Sequence, residues 1–451
     1  MKKFNISQLK LEFILDILQS EEYIYFLDSS CSTSESQFSL IAYNPFLSIC
    51  FDKNQTLFKK GGHIKRVDAN PLLCVEKYFK KFQIKNSLVP FSGGAIGYIS
   101  YEYSQLFKDF KHINFEKQNN KEKLPLLYFS FFDYFILIDK KEKSTWFIIQ
   151  GLKKYKKCPY LEFKSKVDNY CNKKYKQCNS NTIKPLVNWK TYRKNFEKIK
   201  SWIKEGDIYQ ANYTMPFTVP STFNNLSIYK KLRKVSPAPY SAFFKGPFGD
   251  ILSSSPEKLF SIENKIVQTK PIKGTIRRRG RSEKDNKSKK TLLSSIKDQA
   301  ELTMIVDLER NDLTKVCRPG TISVKKLKSI EDFQHVFHLV STIEGELAEG
   351  LTAIDVLMAM FPGGSITGAP KIRAMEIINE VESQERQIYT GSMGYISFNG
   401  RSQFNIAIRT MYSQNENLMF HAGGGIVADS EVKSEWEEAY LKAEGMKNSV
   451  I

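Results

Sequence analysis

Cysteine is sparse in this chain, seven in 451 residues, and the seven follow no regular spacing. No disulfide framework and no Cys/His zinc pattern can be built on them. A reducing, cytoplasmic setting is therefore expected. No apolar run reaches the roughly 18 residues of a membrane helix. The densest stretch, Leu124–Ile138, is cut by Asp133 and reads as strand. Met1-Lys2-Lys3-Phe4 leads into no apolar segment of the kind a secretory signal carries, so none is expected. Acidic residues are the scarcer charge: 48 Asp and Glu against 68 Lys and Arg, a net +20. Histidine is rarer still, with five in all.

The material for a large core is present. Hydrophobic residues make up 41% and aromatic residues 13%, which excludes a disordered chain. The positive charge is spread along the chain, with ten Lys or Arg between Lys270 and Lys290. No zinc-finger, RNP or GXXG pattern accompanies it, so nucleic acid is not an expected partner. A positive field suits an anionic small substrate; a solvated basic face explains it equally well.

The length allows two or three domains or one intertwined unit. Residues 1–150 read as sheet-rich, with strands at 23–30, 38–43, 91–103 and 124–150. A Lys-, Cys- and Asn-rich connector is expected at 170–187. Beyond it come a helix at 188–204, a strand at 208–217, and hairpin elements at 240–244, 251–253, 259–261 and 266–269. Apolar residues at 293, 296, 300, 304 and 308 predict one helix over 292–308. Further helices are expected at 352–360, 369–381 and 434–446, and strands at 389–398 and 404–411. The whole reads as α+β, without the regular βαβ period of a barrel or Rossmann fold.

Four glycine clusters punctuate the chain: Lys273-Gly274-Thr275, Gly363-Gly364-Ser365-Ile366-Thr367-Gly368, Gly391-Ser392-Met393-Gly394 and Gly423-Gly424-Gly425. Glycine lets backbone approach a ligand closely, or simply makes a tight turn. The second cluster enters a helix through Pro370, a geometry that suits an anion. Asp298 and Glu301 share a helix face, as do Glu435 and Glu438. Two such pairs across a cleft would hold Mg²⁺; alone, each is an ordinary acidic helix face. Glu257 follows a strand and a proline. His338 sits in an apolar segment. Arg409 ends an apolar strand, where burial demands either a salt bridge or an anionic ligand.

Residues 188–446 resemble the chorismate-utilising enzyme family. The matching stretches are Gly206-Asp207-Ile208-Tyr209-Gln210, Ser254-Ser255-Pro256-Glu257, Pro271-Ile272-Lys273-Gly274-Thr275, Ile305–Leu313, Gly364–Lys371 and Gly423–Ser430. Residues 1–150 match more loosely, as the family's N-terminal region. The resemblance implies a two-lobed anthranilate synthase component I-like fold, with packed β-sheets flanked by helices around a central cleft.

It also implies roles. Glu301 and Glu438 become metal ligands, with Glu435 and Asp298 assisting. Glu257 becomes the acid at the ring C4 hydroxyl, and His338 a catalytic histidine beside the ring. Gln210, Thr275, Tyr389, Arg409, Lys442 and Gly423–Gly425 become substrate-binding groups. Gln210 stands where water-adding members carry lysine, which disfavours those activities. Lys273 stands where anthranilate synthases usually carry alanine. In this respect the chain is similar to the aminodeoxychorismate synthase component I branch, in which lysine is a covalent nucleophile. Anthranilate synthesis remains the alternative. The resemblance further implies a glutamine amidotransferase partner that supplies ammonia, since no Gly-x-Cys-x-Gly segment is present.

Overall fold

The computed structural model describes residues 1–31, 36–84, 87, 89–117, 123–171, 183–220, 224–333 and 336–450. Most of the expected 170–187 connector lies outside them. Two antiparallel sheets of twelve strands each form the frame. The first runs, edge to edge, through Lys2–Asn5, Ser144–Ile149, Tyr134–Asp139, Phe38–Tyr43, Ile24–Asp28, Tyr240–Gly246, Gly249–Ser255, Thr410–Gln414, Asn417–Ile426, Gln210–Pro220 and Lys184–Pro185. The second begins with Ile272–Arg277, Val336–Glu346, Ile266–Lys270 and Lys258–Glu263. It continues through Ser402–Asn405, Ser392–Ser397, Gly94–Ile99, Leu127–Phe132, Leu47–Asp52, Gln55–Lys60 and His63–Val67. Residues from both 1–150 and 188–446 build each sheet: Ile24–Asp28 pairs with Tyr240–Gly246, and Gly94–Ile99 with Ser392–Ser397. Fully buried phenylalanines and tyrosines such as Phe26, Phe129, Tyr192 and Tyr213 fill the cores.

The chain passes directly from one sheet to the other at short corners: Asn44–Phe46, Asp133, Pro256–Glu257 and Ile406–Arg409. Asp133 therefore divides two strands of different sheets, and its carboxylate accepts the Leu152 and Lys153 amides. The expected strand at 404–411 is split for the same reason. It ends at Asn405 and resumes at Thr410, and Arg409 between them takes φ 50°, a left-handed value unusual for arginine. The last two corners are joined: Ile406 N donates to Glu257 O at 3.0 Å, and Ser254 N to Arg409 O at 3.0 Å.

The helix expected over 292–308 is two helices, Ser282–Ser294 and Ile296–Thr314, broken at Ser295, whose side chain caps the second through the Asp298 amide. Its buried face also differs from the expected one. Ile296 is 85% exposed, whereas Leu302, Ile305, Val306, Glu309, Asp312 and Leu313 are buried. Two acids interrupt that face, so its apolar spacing is hidden. They are satisfied inside: Thr269 donates to Glu309 at 2.8 Å, and Lys371 pairs with Asp312 at 2.6 Å.

The helix at the 363–371 cluster starts at Lys371, and Pro370 is its N-cap rather than a first-turn residue. The glycines there serve close packing. A Cβ on Gly364 would come within 2.6 Å of Leu308, and one on Gly368 within 2.1 Å of Gln210 O. Gly391 and Gly394 are likewise pressed against neighbouring strand backbone. The expected anion-binding helix start is thus a packing junction, with Lys371 already paired. The final helix, Val432–Val450, lies against Asn417–Ile426 and is longer than the 434–446 span expected.

Candidate active site

Side chains from the two sheets and two helices come within charge range of one another around Lys273: Glu257, Glu301, Glu438 and Lys442. Lys273 lies on the edge strand Ile272–Arg277. That strand pairs Lys273 with Leu339 and Thr275 with His338 across a bulge at Gly274, φ 75°. A bulge re-aims the side chain beside it. Gly274 also lets the Ile296–Thr314 helix close in, since a Cβ there would meet Asp298 Cγ at 2.9 Å. The Lys273 ammonium donates to Ser365 O at 3.2 Å. Burial lowers its pKa, opposed mainly by the charges of Glu301 and Glu257, while Lys442 lowers it further.

Glu257 is 4% exposed at its sheet-to-sheet corner. The Ile272 amide, one residue before Lys273, donates to its Oε1 at 3.3 Å. Burial raises its pKa, with Lys273 among the opposing charges. An acid pushed up and an amine pushed down face one another, an arrangement common in sites that move protons.

His338 is buried, with its Nδ1 2.8 Å from Thr275 Oγ1, and desolvation with the nearby Arg409 charge lowers its pKa to about 3. It is a neutral ring at working pH. Arg409, lowered by burial, makes no ion pair among the described residues. Of the two readings open for it in the sequence, the structural salt bridge is not found among the described residues.

Opposite lies the glycine strand. Gly423, Gly424 and Gly425 pair with Thr214, Tyr213 and Asn212. Gly423 and Gly425 are closed in, the former by Tyr213 O at 2.1 Å and the latter by the Gln210 amide at 2.5 Å from an added Cβ. Only Gly424 faces charged side chains: Glu435 Oε2 and Lys442 Nζ at 3.2 Å and Glu438 Oε1 at 3.5 Å from such a Cβ. Lys442 pairs with Glu438 at 2.6 Å and donates to Gly423 O at 2.9 Å. Gln210 is fully buried, and neither its amide nitrogen nor its carbonyl oxygen has a hydrogen-bond partner among the described residues. Tyr389 stacks on His421, rings 5.3 Å apart.

The acids expected to bind metal are partly assembled. Glu301 and Glu435 have pKa values raised by burial, each with Glu438 adding to the rise. Glu438 is lowered despite burial, by Lys442. Ser430 donates to Glu435 at 2.7 Å. Among the described residues no three His, Cys, Asp or Glu side chains are drawn tightly enough to hold a metal. Their all-oxygen chemistry nevertheless fits a hard divalent cation, whose charge would offset the burial that raises Glu301 and Glu435 and the smaller repulsion from Glu438.

Two residues escaped the sequence reading. Ser365, whose carbonyl receives Lys273, lay within a stretch noted for its glycines, its helix entry and its family resemblance, with no role given to the serine itself. Arg386 had no signal, being one polar residue in Gln384-Glu385-Arg386, yet it is 1% exposed. It grips Glu382 through Nε at 2.8 Å and Nη2 at 2.7 Å, and donates to Ile366 O and Asn212 O at 3.2 and 2.6 Å. It thereby ties the Ser365 loop to the strand facing Gly425.

Comparison with known proteins shows the family and the fold. The family model described as chorismate binding enzyme matches residues 23–448. Aminodeoxychorismate synthase component 1 of Bacillus subtilis (strain 168) is 33% identical, over 96% of this chain and 93% of its own. Anthranilate synthase component 1 of Acetivibrio thermocellus is 35% identical, over 92% of this chain and 87% of its own. The crystal structure of anthranilate synthase component I from Streptococcus pneumoniae TIGR4 superposes with a TM-score of 0.79 at 30% identity, covering 92% of this chain and 93% of that one. Matched across nearly its whole length, the chain belongs to the chorismate binding enzyme family, the chorismate-utilising enzymes.

Proposed function

We propose that the protein aminates chorismate at ring C4, using ammonia, to give 4-amino-4-deoxychorismate. The observation that carries this reading is Lys273: a desolvated amine, its pKa lowered, set against a buried acid, Glu257, whose pKa is raised. The deprotonated amine adds at C2. The two conjugated ring double bonds each shift by one position and the C4–O bond breaks, with Glu257 delivering a proton so that water leaves. Ammonia then adds at C4, the two double bonds return, and the C2–N bond to Lys273 breaks. One difficult substitution is divided into two easier ones. The enolpyruvyl ether is untouched, and the sum is chorismate plus ammonia giving product plus water.

The carboxylates of chorismate meet Arg409, Lys442 and the backbone around Gly424, with Thr275 and Tyr389 lining the same cleft. Gln210 presents an uncommitted amide and no base, so water is not activated there. His338, neutral, is a hydrogen-bonding partner beside the ring rather than a cation. Mg²⁺, held by Glu301 and Glu438 with Glu435 and Asp298 nearby, would neutralise a substrate carboxylate. Ammonia would come from a glutamine amidotransferase subunit. Two of the relatives are named as component 1, in keeping with a second component.

Anthranilate formation is the competing reading, supported by the 35% identity to an anthranilate synthase component 1. Purified protein is incubated with chorismate, Mg²⁺ and ammonium, and the product identified by mass. Aminodeoxychorismate is expected, and Lys273→Ala should abolish it. Anthranilate with released pyruvate, or full C4 amination by Lys273→Ala, would overturn the proposal.

A further inference from the structure

The proposed reaction needs Lys273 neutral and Glu257 protonated. One proton moved from the ammonium to the carboxylate supplies both forms, so the residue that fixes the two groups relative to one another matters to the chemistry. Ser365 touches both. Its carbonyl accepts the Lys273 ammonium at 3.2 Å. Burial raises the Glu257 pKa, and the Ser365 side chain beside it is the largest opposing influence. The residue is 5% exposed. Its hydroxyl makes no hydrogen bond at rest among the described residues, so none of them competes with Glu257 for its proton.

The Gly364–Ile366 turn that carries Ser365 is fastened on several sides. Gly364 packs on Leu308 and Gly363 on Ile406, where an added Cβ would come within 2.6 and 2.9 Å. Ile406 N donates to Glu257 O at 3.0 Å, so the turn is seated on the corner that bears the acid. Thr367 Oγ1 donates to Gly363 O at 3.0 Å, and Arg386 Nη1 to Ile366 O at 3.2 Å. The Asn212 amide donates to Thr367 O at 2.8 Å. A side chain on so fixed a support imposes a geometry on its neighbours.

We propose that Ser365 is a positioning residue for the reaction: its carbonyl holds the Lys273 amine and its hydroxyl holds the Glu257 carboxyl, so that the two share one proton at a set spacing. This rests on the roles proposed above for Lys273 and Glu257. Donation by the hydroxyl favours the ionised carboxyl. It therefore makes Glu257 the stronger acid toward the departing C4 hydroxyl. The other groups facing Glu257 are Lys273 and the Ile272 amide on the edge strand and Lys442 on the last helix. Glu309, on the Ile296–Thr314 helix, feels the Glu257 charge. A change at Ser365 alters none of them.

Ser365→Ala keeps the carbonyl and removes only the hydroxyl. The alkaline limb of kcat/KM for chorismate, measured at constant free ammonia, should move to higher pH, because Glu257 then keeps its proton longer. The kcat should fall by about tenfold, with the KM for chorismate little changed. Infrared difference spectra read Glu257 directly. The carbonyl band of its protonated form, isolated by subtracting the spectrum of Glu257→Gln, should persist to higher pH in Ser365→Ala. That measurement needs no turnover: a shifted band without aminodeoxychorismate as product would count against C4 amination and leave the Ser365 role standing. In the Glu257→Gln background, Ser365→Ala should cost nothing further, which separates action through Glu257 from damage to the turn. An unmoved band and an unmoved alkaline limb, or a loss in kcat that adds fully to that of Glu257→Gln, would overturn the proposal.

Discussion

Replacing Glu257 by Gln isolates the proton the proposed reaction needs. The change keeps the size of the side chain and an oxygen for the Ile272 amide, 3.3 Å away in the wild type. It removes the acidic proton. General acid help of this kind is worth about 10²–10⁴-fold, or roughly 3–5 kcal/mol of barrier. The variant should lose C4 amination by that factor. Stability should move the other way. Burial raises the Glu257 pKa above its ordinary 4.5. Its contribution to stability is therefore complete below the unfolded value and is lost as pH rises through the folded one. Glutamine has no such loss, so the Tm of the variant should gain on that of wild type as pH rises above the ordinary carboxylate range. Removing this anion also removes one charge that holds up the Lys273 pKa, so the amine should titrate lower still. The assay is product formation from chorismate and ammonium across pH, with Tm measured in the same buffers. One limb of the wild-type pH profile should vanish in the variant. A rate within about threefold of wild type, at unchanged pH dependence, would refute the acid role.

Arg386→Met should cost about 3–5 kcal/mol, read from chemical denaturation, because it leaves the buried Glu382 carboxylate unpaired. Adding Glu382→Met should recover part of that loss. Gly424→Ala should change stability by under about 1 kcal/mol, since the methyl meets only flexible side-chain ends. Activity should nonetheless fall, with a raised KM for chorismate, because the methyl stands among Glu435, Lys442 and Glu438. Chelating divalent metal should abolish turnover. Glu301→Gln should shift the Mg²⁺ concentration for half-maximal activity upward by about tenfold or more, measured by metal titration.

Local chemistry made parts of the site legible in advance. Pro271-Ile272-Lys273-Gly274-Thr275 is a strand whose glycine can take φ 75°, and that bulge aims the lysine inward. The three-residue spacing of Glu435 and Glu438 put both on one helix face, and both lie near Gly424. Other features resisted reading because their cause is remote. The helix over 296–314 buries Glu309 and Asp312, whose partners Thr269 and Lys371 come from distant segments. Its periodicity therefore pointed to the wrong face. Arg386 looked like a surface residue until Glu382, Ile366 and Asn212 closed around it.

The amino-acid sequence by itself determined which groups are available, roughly where most strands and helices lie, and that a lysine stands between Ile272 and Gly274. Short-range spacing and backbone preferences suffice for that. Only the tertiary structure decided what those groups become. The chain crosses between the sheets at Pro256–Glu257 and Ile406–Arg409, which seats an acid and an arginine, without an ion pair among the described residues, at neighbouring corners. Burial then moves the Glu257 and Lys273 pKa values toward one another. Desolvation and charge proximity are properties of the folded surroundings, contributed by residues far apart in the chain, and no local pattern encodes them.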